Sequence, residues 1–278
     1  MQLSPKFAGF AHAMAPAVMQ ASRLAHSMAG SVRNVPKSEE ESDVKQALTA
    51  ADTASQEVIL RALIDLYPQV AVAAEEDTPT VARFPQSSSA LVVIDPIDGT
   101  LHSYLEGRGP YAVIVGLAID RELAASLVAL PREGQTFLAE IGRAAERMSP
   151  DGTSQPVEAC ADGDRVLVSH EMPKRVVSAL RAEGLQPVPA CGGAIAIAPL
   201  IRGVRAGLRY APGGLSHGIS IRGRVGTLIA RVAGAELRGD GGASFPTDLD
   251  TPTRSLVVAA DPADLPVLEK CLAQAGRR

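Results

Sequence analysis

One hexapeptide constrains this chain more than anything else in it: Asp95-Pro96-Ile97-Asp98-Gly99-Thr100, set directly after the apolar run Ala90-Leu91-Val92-Val93-Ile94. A short apolar run bounded by turn residues reads as a buried strand. Two aspartates are therefore delivered at a strand end, where the backbone holds side chains rigidly. Pro96 fixes the turn between them, so both carboxylates can face one point while the Ile97 carbonyl is left free. Gly99 permits close backbone approach, and Thr100 opens a helix-entry turn whose free N–H groups suit an anion. A second apolar run, Val70 to Ala74, empties into Glu75-Glu76-Asp77 in the same way.

Carboxylates gathered at strand ends repel one another unless a cation or a proton intervenes. Hard oxygen ligands at this density suit Mg²⁺, which takes an octahedral shell at ~2.0–2.1 Å and keeps part of its water. A cation cluster beside an anion-binding turn is the arrangement that phosphoryl hydrolysis requires. A single acidic pair in a loop is ordinarily just solvated; two acidic groups, each closing a buried strand, point to chemistry.

The rest of the chain reads as a layered α/β or α+β fold. Phe7, Ala11, Met14, Val18, Ala21, Ala25 and Met28 recur at spacings of four and three, which predicts an amphipathic helix kinked at Pro16. Arg33 to Lys45, with the acidic run Glu39-Glu40-Glu41, reads as an exposed loop. Thr49 to Leu66 reads as a second helix, and Tyr111 to Asp120 and Leu123 to Leu130 as adjacent strands. A stretch rich in Pro, Gly, Asp and Ser from Met148 to Asp164 suggests two lobes, 1–148 with the acidic motifs and 149–278 completing a substrate site. Beyond it the pattern predicts strand Arg165–Ser169, helices Pro173–Glu183, Ala194–Ala206 and Arg224–Val232, and a glycine-rich turn from Gly234 to Gly242. Aromatics are only 3% and Trp is absent, so small aliphatic side chains must fill the interior, which favours closely packed helix–sheet layers.

Several functions are disfavoured. The net charge of −4 and the lack of any Lys/Arg run argue against a nucleic-acid partner. No run of eighteen apolar residues occurs, so no membrane span is expected. The cysteines Cys160, Cys191 and Cys271 are odd in number and widely spaced, which points to buried reduced thiols in a cytoplasmic protein. His12, His26, His102 and His170 are scattered and are expected on the surface or in the core, not as metal ligands.

Glu75-Glu76-Asp77 together with Asp95-Pro96-Ile97-Asp98-Gly99-Thr100 resembles the inositol monophosphatase family, within the lithium-sensitive, Mg²⁺-dependent superfamily that also holds fructose-1,6-bisphosphatases and 3′(2′),5′-bisphosphate nucleotidases. Leu48-Thr49-Ala50-Ala51-Asp52 is similar to the family's V-T-x-A-D segment. The resemblance implies an α-β-α-β-α sandwich, a homodimer, and Mg²⁺-dependent hydrolysis of a small phosphorylated metabolite by in-line attack of a metal-activated water. It implies that Glu75, Asp95 and the Ile97 carbonyl hold the catalytic Mg²⁺, and that Asp95 and Asp98 hold a second ion, within a family range of one to three ions. By the same resemblance Thr100, coupled to Asp52, positions and deprotonates the water, and the Gly99 and Thr100 amides hold the phosphate.

The family's third motif, W-D-x-A-A-G before a helix ending in E-A-G-G, departs here. Alignment puts Ile221 and Arg222 in place of Trp and Asp, and a shifted gap brings His217-Gly218 there; no carboxylate lies between Leu208 and Ala235. One reading gives Arg222 or His217 the charge of a missing ion and a grip on phosphate. The other gives a catalytically weakened phosphate-binding or regulatory protein. The intact Glu75, Asp95, Asp98 and Asp52–Thr100 set favours catalysis, with a sugar bisphosphate or a 3′(2′),5′-bisphosphate nucleotide as the alternative substrates. Leu101-His102-Ser103-Tyr104 also departs from the family continuation, which bears on substrate selection near the phosphate.

Overall fold

The computed structural model describes residues 4–35, 48–211 and 218–276. Helix α1 spans Phe10–Met28 and contains Pro16. Helix α2 spans Ala50–Leu66. A first sheet follows, formed by β1 (Ala71–Ala73), β2 (Ala90–Asp98), β3 (Ala112–Ile119), β4 (Glu122–Leu130), β5 (Gln135–Glu140), β6 (Glu146–Met148) and β7 (Ser154–Pro156) in that spatial order. β1 runs parallel to β2, and β2 to β7 form an antiparallel meander. Asp120 and Arg121 close the β3–β4 hairpin at positive φ, 48° and 70°, matching the right-handed twist of the strands they join.

The second sheet has the order β11-β12-β10-β8-β9. It is built from β8 (Arg165–Ser169), β9 (Gln186–Ala190), β10 (Val204–Tyr210), β11 (Glu236–Arg238) and β12 (Ser255–Ala259). Helix α3 (Lys174–Ala182) lies between β8 and β9, α4 (Gly192–Ala196) follows β9, α5 (Val225–Val232) precedes β11, and α6 (Leu265–Leu272) follows β12.

Strand alternation decides the layering. Val92, Ile94, Val113, Val115 and Leu127 face α1 and α2, packing with Phe10, Met14, Val18, Ile59, Leu60 and Leu63. Their neighbours Val93, Ile114 and Val128 face the other way, into a core shared with Ile195 of α4, Val225 and Ile229 of α5, and Leu167, Leu256 and Val258 of the second sheet. Val166, Val168, Leu208 and Val257 point outward again, onto Val176 and Leu180 of α3 and Leu268 and Leu272 of α6. The result is the α-β-α-β-α sandwich, with α4 and α5 as the middle layer.

Four expectations need correction. The apolar stretch expected as one helix over Ala194–Ala206 is short α4, a 3-10 turn at Ala198–Leu200, and then strand β10. Pro199 lacks an N–H, and Ala194–Leu200 is buried throughout with no helical stripe, while exposed Arg202 lies in the turn that leads into β10. The turn region from Gly234 to Gly242 contains β11. Cys160 is exposed, while Cys191 and Cys271 are buried. Strand β2 does not stop at Ile94 but carries the acidic motif within it as far as Asp98. The segment carrying Glu39-Glu40-Glu41 lies outside the described residues.

Candidate active site

The parallel pairing of β1 with β2 assembles the first two carboxylates. The register sets Ala71 against Leu91 and Ala73 against Val93. Carried two residues past β1, the same register brings Glu75 beside Asp95. The chain here is fixed by Gln56 of α2, whose amide donates to the Glu76 carbonyl at 2.7 Å and accepts from the Glu76 N–H at 2.9 Å. On β2 the pairing with β3 shifts between Asp95, opposite Ile114, and Asp98, opposite Ala112. Pro96-Ile97 is thus a bulge that re-aims the two aspartates.

Helix α2 brings a third carboxylate from its first turn. Thr49 caps the helix and closes a capping box with Asp52: the Thr49 hydroxyl donates to Asp52 Oδ2 at 2.6 Å and the Thr49 N–H to the same oxygen at 2.8 Å. The other oxygen, Oδ1, accepts from the Thr100 hydroxyl at 3.0 Å, and that hydroxyl also lies 2.8 Å from the Ile97 carbonyl. Burial pushes the Asp52 carboxyl up to about 6, opposed by the hydrogen bonds from Thr49 and Thr100 that favour its charged form. Asp52 and Gln56 stand one helical turn apart, so a single face of α2 reaches both motifs.

Opposite these groups stands Arg222. Its Nη2 lies 3.8 Å from Glu75 Oε1 and its Nε 3.8 Å from Asp95 Oδ2. These are ion-pair separations too long for hydrogen bonds. The remaining carboxylate oxygens, Glu75 Oε2 and Asp95 Oδ1, are buried and have no hydrogen-bond partner among the described residues. Burial, then repulsion from Glu75 and Asp98, holds the Asp95 carboxyl well above its usual range, with Arg222 pulling the other way. Asp98 is engaged elsewhere: its Oδ2 accepts from the Gly193 N–H at the start of α4.

These atoms bear on whether the cluster fits Mg²⁺. Two adjacent carboxylates, each with one buried unpartnered oxygen, fit one Mg²⁺, which is commonly held by one or two carboxylates together with water and phosphate. Among the described residues no group of three or more His, Cys, Asp or Glu side chains is arranged to hold an ion, so the full multi-ion set does not fit.

Most of the residues singled out in the sequence come together here: Asp52, Glu75, Asp95, Ile97, Asp98, Gly99, Thr100 and Arg222. His217 lies outside the described residues. Gly99 has φ 92°, and a Cβ on it would stand 2.8 Å from Cys191 Cβ, so this turn admits only glycine. Thr100–Leu105 continues as a single π-helical stretch.

Other neighbours were not legible. Cys191 is buried against Asp98, and burial holds its thiol protonated. The Arg209 guanidinium is wedged where Cβ atoms on Gly192 or Gly223 would sit, each 2.1 Å from its Nη1. Arg224, 2% exposed, donates to the carbonyls of Ile219, Asp248 and Thr251, which pins the turn carrying Arg222. Ser103 meets His170 Nε2 at 2.9 Å, and burial lowers the His170 imidazole to about 4. The two unbroken glycines Gly192-Gly193 were the only trace of the α4 contact in the sequence; the others carry no local signal.

Fold and site together define a class: an α-β-α-β-α sandwich with carboxylates at the ends of two parallel strands. The chain belongs to the inositol monophosphatase family, whose sequence profile matches residues 9–197, and that membership supports a phosphatase. It is 31% identical to the Nus factor SuhB of Pseudomonas aeruginosa over 105 residues, a match that spans 38% of this chain and 38% of that protein. Among solved structures it is similar to the Thermotoga maritima IMPase, with TM-score 0.70 at 17% identity over 94% of this chain and 95% of that one. It is similar also to the extragenic suppressor protein SuhB from Bartonella henselae, with TM-score 0.72 at 17% identity over 94% and 97% of the two chains. At these identities the structural likeness shows the shared fold alone. Among the described residues no helix is long and apolar enough to cross a membrane.

Proposed function

We propose that this protein hydrolyses a small phosphomonoester with Mg²⁺, as a cytoplasmic homodimer of two lobes, 1–148 and 149–278. The observation that carries the reading is the Thr100 hydroxyl, held at once against Asp52 Oδ1 and the Ile97 carbonyl, beside the unpartnered oxygens of Glu75 and Asp95. Glu75, Asp95 and the Ile97 carbonyl would hold the ion, and Asp98 ties the cluster to α4. When bound, Mg²⁺ lowers the pKa of water and neutralises charge on the phosphoryl oxygens.

The protein's own groups do the rest. Ionised Asp52 accepts the Thr100 hydroxyl hydrogen, which leaves the Thr100 oxygen lone pairs free to accept a proton from the attacking water. A carboxyl titrating near 6 is well placed for this near neutral pH. The Gly99 and Thr100 amides and the Arg222 guanidinium hold the phosphate, and His217 is proposed to assist. Binding by amides and a guanidinium fixes the phosphorus for in-line attack.

A second reading, a sugar bisphosphate or 3′(2′),5′-bisphosphate nucleotide as substrate, is favoured by Arg209. This half-buried guanidinium has one long contact, 3.5 Å to the Gly223 carbonyl, next to Arg222. Phosphate release from a panel of polyol monophosphates, sugar bisphosphates and nucleotide bisphosphates, with Mg²⁺, with chelator and with Li⁺, tests both. Chelator-sensitive release from the monophosphates supports the first reading, and preference for the bisphosphates the second. Anion binding without release from any member would leave a phosphate-binding protein. Light scattering in solution tests the dimer.

A further inference from the structure

Arg222 divides the carboxylate cluster into two halves. One oxygen of each carboxylate, Glu75 Oε1 and Asp95 Oδ2, faces its guanidinium, both at 3.8 Å. The other oxygen of each, Glu75 Oε2 and Asp95 Oδ1, is buried and has no partner among the described residues. Asp95 is the best-buried of these groups, 5% exposed, and a buried carboxylate oxygen without compensation is costly. The unpartnered pair thus calls for a cation, while the pair facing Arg222 already has one.

The guanidinium is held where it stands. The turn from Ile219 to Arg224 is anchored by Arg224 through the carbonyls of Ile219, Asp248 and Thr251, and the Gly223 N–H donates to the Ser220 hydroxyl oxygen at 3.2 Å. Arg222 is partly exposed, 31% over its side chain, and the in-plane N–H groups of a guanidinium suit an oxyanion. A fixed guanidinium differs from a divalent ion in carrying half the charge, in donating hydrogen bonds, and in being impossible to remove with a chelator.

We propose that Arg222 is a built-in cation that stands in for one divalent ion, so that this chain binds a single Mg²⁺ or Mn²⁺ at the cluster, on the Glu75 Oε2 and Asp95 Oδ1 side. The inference rests on the reading of this cluster as a metal site, and it concerns ion number whether or not the chain turns over a substrate. It follows that an acidic residue at position 222 converts the site: Arg222→Asp removes the tethered charge, frees Glu75 Oε1 and Asp95 Oδ2, and adds a carboxylate facing them.

The test is the stoichiometry of Mn²⁺ binding to the metal-free full-length chain, read as loss of the free-ion EPR signal, with Mn²⁺ standing in for Mg²⁺ as an octahedral oxygen-loving ion. Wild type is expected to take up one Mn²⁺ per chain and Arg222→Asp two. Two or more in the wild type, none in the wild type, or no gain in the variant each overturn the proposal. If Arg222→Asp does not fold, as judged by near-UV circular dichroism, Arg222→Gln replaces it; its single Mn²⁺ must then bind at least tenfold tighter than in wild type, and unchanged affinity overturns the proposal. Phosphate release measured on the same samples keeps the two readings apart. The predicted stoichiometry without turnover of any substrate sinks the phosphatase and leaves Arg222 as the built-in cation; turnover with two ions in the wild type does the reverse.

Discussion

The Thr100 hydroxyl reaches Asp52 Oδ1 at 3.0 Å across 48 residues of sequence, joining the end of β2 to the first turn of α2. Asp52 is held on its other side by Thr49, so one carboxylate serves both as helix cap and as partner of the proposed base. A cap of this kind fixes a side chain without a rotamer to spare, and burial then sets its acidity.

The first prediction concerns pH. Burial raises the Asp52 carboxyl to about 6, and turnover requires its ionised form, so activity rises with pH through an acid limb near 6. The hydrogen bond from Thr49 is the largest influence lowering that value, so Thr49→Val moves the limb to higher pH; a limb that stays put in the pH–rate profile refutes the assignment. The stability effect has the opposite sense. The folded state holds this proton more tightly than the unfolded chain, so ionising Asp52 costs stability as pH climbs from the usual ~3.9 toward 6.

Removal of the base partner should act on rate alone. Thr100→Val and Asp52→Asn are each expected to lower kcat by roughly 10²–10⁴-fold, the range of a positioned proton acceptor, with KM changed far less. The double variant should lose little more than either single one, since the two residues act as a unit. Additive losses in steady-state kinetics would show that they do not.

Asp95→Asn should separate activity from stability. The substitution removes a carboxyl whose ionisation is opposed by burial and by repulsion from Glu75 and Asp98, so the metal-free protein is expected to gain stability, read as a rise in Tm. Phosphate release should fall below detection. A lower Tm in a thermal scan with chelator would mean that Arg222 already neutralises Asp95 fully.

Gly99→Ala tests the turn. It forces an L side chain to φ 92° and sets its Cβ 2.8 Å from Cys191 Cβ, which together should cost ~2–3 kcal/mol and displace the amides proposed to bind phosphate. Gly152 has a similar φ of 85° with nothing within 4 Å of its Cβ, so Gly152→Ala is the control for strain alone, at ~1 kcal/mol. Equal urea midpoints for the two variants would rule out the contact with Cys191.

Arg224→Met should destabilise while leaving the carboxylates in place. Its guanidinium serves the carbonyls of buried Ile219, half-buried Asp248 and exposed Thr251, and at ~1–3 kcal/mol for a buried group left unsatisfied the loss is about 1–3 kcal/mol. Denaturant unfolding reads this directly. A loss under 1 kcal/mol would show that water replaces those donors.

The acidic motif, its strand and the capping box were legible because each is local: an apolar run, a proline turn and a Thr-to-Asp spacing of three. The apolar runs of β2 to β4 read as buried strands, while the layering entered through the family resemblance. Other parts were hidden because their causes lie far away in sequence. The amides at the start of α1 are taken by Glu140 of β5, which accepts from Gly9 N–H at 3.1 Å and Ala11 N–H at 2.6 Å, and nothing near residue 10 announces that cap. The stretch from Ala194 to Leu200 is buried on every side, so it shows no period by which helix and strand could be told apart.

The sequence by itself determined that carboxylates would crowd the end of a buried strand, and that an arginine had replaced the aspartate expected at position 222. Only the tertiary structure decided where that arginine stands. The β1–β2 register sets Glu75 beside Asp95, and the turn pinned by Arg224 carries Arg222 to 3.8 Å from both. Charge acts through space with a 1/r dependence, so whether a lost carboxylate means a lost site or a replaced ion rests on distances between segments more than a hundred residues apart.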